Sequence, residues 1–384
     1  MLLGSAEPSR ELAIALQGLG AEVIAVDGYV GAPAHRIADQ SVVVTMTDAE
    51  ELTAVIRRLQ PDFLVTVTAA VSVDALDAVE QADGECTELV PNARAVRCTA
   101  DREGLRRLAA DQLGLPTAPF WFVGSLGELQ AVAVHAGFPL LVSPVAGVAG
   151  QGSSVVAGPN EVEPAWQRAA GHQVQPRVCA ESVVEIEFLV TMIVVCSQGP
   201  NGPLIEFCAP IGHRDADAGE LESWQPQKLS TAALDAAKSI AARIVKALGG
   251  RGVFGVELMI NGDEVYFADV TVCPAGSAWV TVRSQRLSVF ELQARAILGL
   301  AVDTLMISPG AARVINPDHT AGRAAVGAAP PADALTGALG VPESDVVIFG
   351  RGLGVALATA PEVAIARERA REVASRLNVP DSRE

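Results

Sequence analysis

Lysine is nearly absent: the 384 residues contain only Lys228, Lys238 and Lys246, while arginine is plentiful. A bias toward Ala, Val and Arg exchanges Lys for Arg, but it does not account for a lysine replaced by Ser or Gln. Basic surface is lacking too. The formal net charge is −17, which excludes nucleic acid and anionic membranes as partners, because both need clustered cations. No apolar run reaches the ~20 residues that span a bilayer. The opening Met1-Leu2-Leu3-Gly4-Ser5 lacks a basic segment followed by a long apolar one, so no signal peptide is expected and the location reads as cytoplasmic. The cysteines Cys86, Cys98, Cys179, Cys196, Cys208 and Cys273 form no CxxC pair and have no His at metal spacing. They read as reduced thiols that fill cores. No internal repeat is present.

What is present is a long β-α alternation. With half of the residues apolar, the chain can bury more than one core, and length predicts two or three domains at ~150 residues each. A short apolar strand opens into the turn Gly4–Ser9, a helix over residues 10–19 ends at Gly20, and the strand Glu22–Asp27 closes on an acid. That unit is Rossmann-like but lacks the G-x-G-x-x-G of a dinucleotide site. Strands at 41–44 and 62–67 alternate with helices at 48–59 and 70–81, predicting a parallel sheet with flanking helices up to about residue 97. A helix over 101–113 then carries an arginine face of Arg102, Arg106 and Arg107. Strands at 120–123 and 138–144 flank a helix at 126–136, and a glycine-rich loop at 146–154 leads to the strand 155–157. Alternating apolar runs over 178–196 and 204–210 predict antiparallel strands. A helix over 231–248 precedes two strands, 253–260 and 264–270, joined at Asn261-Gly262-Asp263 as a hairpin. A helix at 288–298 follows, then a last module with strands at 312–315 and 345–349 and a helix at 361–377.

A strand, a glycine-rich loop, a second strand and a carboxylate hairpin roughly 110 residues later is the layout of an ATP-grasp domain. Over nearly its whole length the chain resembles the PurT-type, formate-dependent glycinamide ribonucleotide formyltransferases. The runs MLLGS, GAEVIAVD, REGLRRLAADQLGLPT, FCAPIGHR, ESWQPQ, GVFGVELMINGDEV and GVALATA carry the resemblance. It implies an α/β fold: an N-terminal Rossmann-like parallel-sheet domain (1–98), a central α+β ATP-grasp domain (99–308) and a small, β-rich C-terminal domain (309–384). It implies ATP and Mg²⁺ as cofactors, and a homodimer, with a paralogue as the alternative partner. In the family, ATP and formate give formyl phosphate, which the ribonucleotide amine attacks. Phosphoryl transfer of this kind is mainly positioning and charge neutralisation.

Carried over residue by residue, the resemblance makes Arg102 the ATP-contacting arginine, and Glu181 and Val184 the hinge that reads adenine and ribose. Glu257 and Asp269 become the metal carboxylates on the two hairpin strands, Asp standing where the family has Glu. Glu7 falls in the loop that contacts the ribonucleotide, and His213 and Arg214 in a kept Gly-His-Arg motif. The departures fall on charged positions. The family's Val-Lys-Pro is Val142-Ser143-Pro144. Its lysine-bearing glycine loop is Gly147-Val148-Ala149-Gly150-Gln151-Gly152-Ser153, whose backbone N–H groups alone would cradle a phosphate. The second glutamate of the hinge segment is Leu189, with Glu187 on the same strand face. The Arg-Pro-His-Asp segment is Cys273-Pro274-Ala275-Gly276, the Pro-Glu-Ile-Glu segment is Thr66-Val67-Thr68-Ala69, and Arg351 is left of three cations in the substrate-phosphate loop.

Each lost cation or acid removes a few kcal/mol of transition-state stabilisation, about 10²–10³ in rate. The pattern therefore predicts a scaffold repurposed for another small-molecule reaction, in specialised metabolism and without normal ATP use. Its less charged pocket would be lined by Ser143, Gln151, Leu189, Cys273 and Trp279, with Glu7, His213 and Arg351 as further candidates. The alternatives are a genuine formate- and ATP-dependent formyltransferase, and a non-catalytic partner subunit.

Overall fold

The computed structural model describes residues 1–82, 87–146, 152–171, 175–199, 202–216, 220–315, 330–350 and 353–377. The first sheet is built from short apolar runs that pair in parallel, in the order β3-β2-β1-β4-β5: β1 (Leu2–Leu3), β2 (Ile24–Asp27), β3 (Gln40–Val43), β4 (Phe63–Thr66) and β5 (Glu88–Val90). Between them run α1 (Glu7–Gly18), α2 (Ala49–Leu59), α3 (Val73–Glu80) and α4 (Ala93–Ala100). Side chains of Asp48, Ser72 and Asn92 cap the last three by accepting from backbone N–H groups of the first turn. α1 starts three residues before the expected position because Pro8 sits in its first turn, where a missing N–H costs nothing. The order reverses at β1 and β4, so their C-terminal ends open a crevice, the usual ligand position of such sheets.

The predicted helix over 101–113 is α5 (Arg102–Arg107), capped by Asp101, followed by a π-helical turn over Leu108–Gln112. An antiparallel sheet in the order β6-β9-β7-β8 comes next: β6 (Phe120–Val123), β7 (Leu140–Pro144), β8 (Ser154–Val156) and β9 (Val178–Ser182). Its inner face, with Leu140, Val142, Val178 and Ala180, packs on Leu129 of α6 (Leu126–Ala136) and Ala165 of α7 (Val162–Ala170). The alternate residues of the same strands face the other way.

The third sheet runs β15-β14-β10-β12-β13-β16-β18-β17, with β11 also on β10. Its strands are β10 (Phe188–Gly199), β11 (Gly202–Phe207), β12 (Ile211–Asp215), β13 (Leu221–Gln225), β14 (Gly252–Asn261), β15 (Glu264–Val272), β16 (Gly310–Ile315), β17 (Ser344–Gly350) and β18 (Leu353–Thr359). β10 is apolar on both faces because both are covered. Val190, Met192 and Val194 meet Ala237, Ile240 and Ile244 of α8 (Thr231–Leu248). Ile193 and Val195 pack with Trp279, Phe290 and Leu292, beside α9 (Thr281–Ser284) and within α10 (Val289–Ile297). The β14–β15 hairpin turns at Gly262, whose φ of 58° suits a residue without Cβ. β16, the first strand after residue 308, hydrogen-bonds to β13, so the last segment extends the same sheet. α11 (Ala332–Leu339) and α12 (Val363–Leu377) cover its far end. Among the described residues no helix is long and apolar enough to cross a membrane.

Candidate active site

The outer face of the four-stranded sheet carries the first group. Glu181 on β9 stands opposite Phe120 on β6 and Leu141 on β7, and Ser143 stands opposite Cys179. Residues directly opposite share a face, so Ser143 and Glu181 look the same way. Arg102 and Arg106, one turn apart on α5, approach that face. Arg102 Nη1 donates to the Pro144 carbonyl at 3.2 Å. Arg106 is only 7% exposed, and its Nη2 donates to both Glu181 carboxylate oxygens at 3.0 and 2.9 Å. Its guanidinium lies 5.7 Å from the Phe120 ring centroid. Ser143 is buried, whereas Val184 is half-buried just beyond β9. Gln151 and most of its glycine loop lie outside the described residues.

The second group lies on the β14–β15 hairpin. Glu257 and Asp269 are cross-strand partners, with a bulge between Glu257 and Leu258 that re-aims the strand beside them. Burial, helped by the charges of Asp269 and Asp215, pushes the Glu257 carboxyl up to about 7. Burial also raises Asp269, against a hydrogen bond from the Val270 N–H and the charges of Arg102 and Arg106. Two facing carboxylates that resist ionisation fit a divalent cation, which would neutralise both. Among the described residues no group of three or more His, Cys, Asp or Glu forms a closed metal cage. Mg²⁺ is held by one or two carboxylates, with phosphate oxygens and water completing the shell.

Neighbouring strands extend this surface. Thr191 pairs with Glu257 in register, and its hydroxyl meets the Ser277 hydroxyl at 2.7 Å. Two residues along β10 from Thr191, Leu189 faces His213 on β12. Burial lowers the His213 pKa, while Asp215 opposes that; its Nε2 is buried without a partner. Glu187 is exposed at the strand entrance. Arg214 points to the opposite face, where Glu222 is 1% exposed and accepts from Arg214, Arg367 and Arg371.

The third group surrounds the β1–β4 crevice. A Cβ on Gly4 would lie 3.0 Å from Thr68 Cγ2, so the loops after β1 and β4 touch there. Glu7, half-buried, opens α1 at this point. Arg10, on the same helix, donates to the Ile348 carbonyl at 3.0 Å and covers Phe349 at 5.7 Å, which brings the β17 end to the crevice. Arg351 lies outside the described residues.

One expected pocket residue, Trp279, is corrected here, and Cys273 is tied to two other elements. Trp279 is 4% exposed and packs its ring 4.7 Å from Phe290 and 5.1 Å from Phe349, in the core rather than on a pocket wall. Cys273 ties elements together: Sγ donates to the Thr66 carbonyl at 3.3 Å and accepts from Gln293 Nε2 at 3.1 Å. Burial pushes its thiol up to about 12, and Cys179, Cys196 and Cys208 are raised by burial as well. Beside the candidate residues the structure also places Arg106, Thr191 and Ser277, which sequence reasoning did not name as site candidates. For Arg106 the signal was available in its four-residue spacing from Arg102.

The sequence pattern of the ATP-grasp domain matches residues 108–290. A formate-dependent phosphoribosylglycinamide formyltransferase from Rhodococcus jostii is 44% identical, with 98% of this chain and 94% of that protein covered. A solved structure described as glycinamide-RNase-transformylase T from Mycobacterium tuberculosis is 92% identical, with a TM-score of 0.87 and coverage of 98% and 99%. N5-carboxyaminoimidazole ribonucleotide synthetase from Thermotoga maritima, 19% identical over 98% of this chain and 97% of its own, shares the fold with a TM-score of 0.81. These relationships overturn the expectation of a repurposed scaffold with doubtful formyltransferase activity and no normal ATP use. They favour the alternative of a genuine enzyme. Identity of this level along almost the entire chain means that it belongs to the family of formate-dependent phosphoribosylglycinamide formyltransferases.

Proposed function

We propose that this chain formylates the amine of glycinamide ribonucleotide at the expense of ATP and formate. The observation that carries the reading is its 44% identity, over 98% of its length, to curated formyltransferases. In the reaction a formate oxygen takes the terminal phosphoryl group of ATP, giving formyl phosphate and ADP. The ribonucleotide amine then attacks the formyl carbon, phosphate leaves, and the nitrogen gives up a proton.

Glu257 and Asp269 would hold Mg²⁺, whose charge offsets that of the phosphates. Their low readiness to ionise in the free protein supports this role, since a cation stabilises both charges at once. Glu181 and Val184 would receive the nucleoside, and Arg102 would face its phosphates from beside Ser143. The β1–β4 crevice, with Glu7 at its edge, is where the ribonucleotide would sit, and His213 and Leu189 lie on the surface between. A homodimer goes with this reading, as the family resemblance implies. The test is growth of a purine-auxotrophic strain that lacks glycinamide ribonucleotide formyltransferase activity. The chain is expected to restore growth in a formate-dependent way; failure with folded, expressed protein would sink the reading.

A further inference from the structure

Arg106 combines two properties that rarely coexist. It is 7% exposed, and its Nη1 meets no hydrogen-bond partner although Nη2 is fully engaged by Glu181. A buried charged donor left without an acceptor is strongly disfavoured, and one that persists calls for an occupant that completes it. Its surroundings indicate which. Arg106 lies on the sheet face shared by Ser143 and Glu181, and Arg102, one turn earlier, reaches the carbonyl next to Ser143. The helix α5 touches the four-stranded sheet through Arg106 and Glu181, and its Leu105 shares a core with Phe267 and Val270 of the carboxylate hairpin, so it stands between the two. Ser143 itself is buried and uncharged, so β7 brings no cation into that space at this position.

We propose that Arg106 is a second phosphate-binding residue of the nucleotide site, with Nη1 donating to a nucleotide phosphate oxygen and replacing charge that β7 does not supply at Ser143. The inference rests on the reading of the cleft as an ATP site. A guanidinium suits this role because one nitrogen stays on Glu181 while the other binds, which an ammonium on a single point does less well.

The experiment is calorimetric titration of the full chain with Mg-ATP and Mg-ADP, and with adenosine by displacement of Mg-ADP. R106Q is expected to weaken both phosphate-bearing ligands about tenfold or more, as for a lost charge-assisted hydrogen bond, and to leave adenosine within about twofold. R106K is expected to recover part of the loss. Because R106Q leaves Glu181 buried without its cation, the same ladder is run for E181Q against E181Q/R106Q, where folding is protected. An equal loss for adenosine and ATP would overturn the proposal by showing that Arg106 only positions Glu181. Unchanged ATP affinity would overturn it by showing that water alone satisfies Nη1. Wild-type protein that binds no Mg-ATP would defeat the functional reading as well, whereas normal wild-type binding with an unaffected R106Q defeats this inference alone.

Discussion

Glu222 is paired with Arg214, Arg367 and Arg371, and replacing it with Gln tests how β12 and β13 are held. Burial opposes its ionisation, but hydrogen bonds from Arg367 and Arg214 and the charges of Arg367 and Arg371 outweigh burial and hold its pKa at about 2, against an ordinary 4.5. Arg367 also stacks 3.8 Å above the Trp224 ring, so the cluster fastens β12 and β13 to α12. A depression of that size corresponds to about 3 kcal/mol of stability. The carboxylate is 1% exposed, so solvent screens it little. The sign follows from linkage: a lowered carboxylate pKa stabilises above the unfolded value near 4.5, and the contribution is lost as pH falls toward 2. At pH 7.5, E222Q is therefore expected to melt roughly 5 °C below wild type by scanning calorimetry. Urea titrations at pH 3 should show the deficit reduced to less than half of its value at pH 7.5. Equal melting at pH 7.5, or a deficit undiminished at pH 3, would refute the reasoning.

Two further substitutions probe the same sheet. E257Q should lower Mg-ATP-dependent turnover at least ~100-fold, as expected for a metal carboxylate. In EDTA at pH 8 it should melt no lower than wild type, because a carboxyl raised to about 7 withdraws stability as pH climbs from 4.5 through 7; a lower melting temperature would contradict the raised pKa. At G212A the new Cβ would fall 2.7 Å from Gln227 Oε1 and closer still to the Trp224 indole, where Trp224 Nε1 donates to Gln227 at 2.7 Å. We expect a loss of about 2 kcal/mol or more, read as an earlier thermal transition, and a neutral result would show that the indole moves aside freely.

Much of the architecture was legible in hydrophobic period and turn chemistry. The helices 126–136 and 231–248 and the strand 120–123 form where expected, since each has a clear pattern and a recognisable end. β12 and β13 were not read from the sequence, because His213, Arg214, Asp215 and Glu222 disguise two central strands as a polar loop. Their charges are tolerated there because the arginines of β12 and α12 neutralise Glu222 within the fold. The site was legible in part for a related reason. The residues of the carboxylate pair lie on a strand hairpin visible in the sequence, whereas Arg106 and Ser277 meet partners 75 and 86 residues away; the spacing from Arg102 points to Arg106, but nothing local points to Ser277. The absent lysines point toward a repurposed scaffold only if each family position must carry its charge locally, and the identity along almost the whole chain outweighs that expectation.

The most direct measurement follows labelled formate. Purified protein is incubated with ¹⁴C-formate, Mg-ATP and glycinamide ribonucleotide, and label in the ribonucleotide is compared with ADP released. A genuine formyltransferase incorporates one formyl group per ADP, dependent on all three substrates. ADP release without formyl transfer, or no turnover by folded protein, would contradict that assignment.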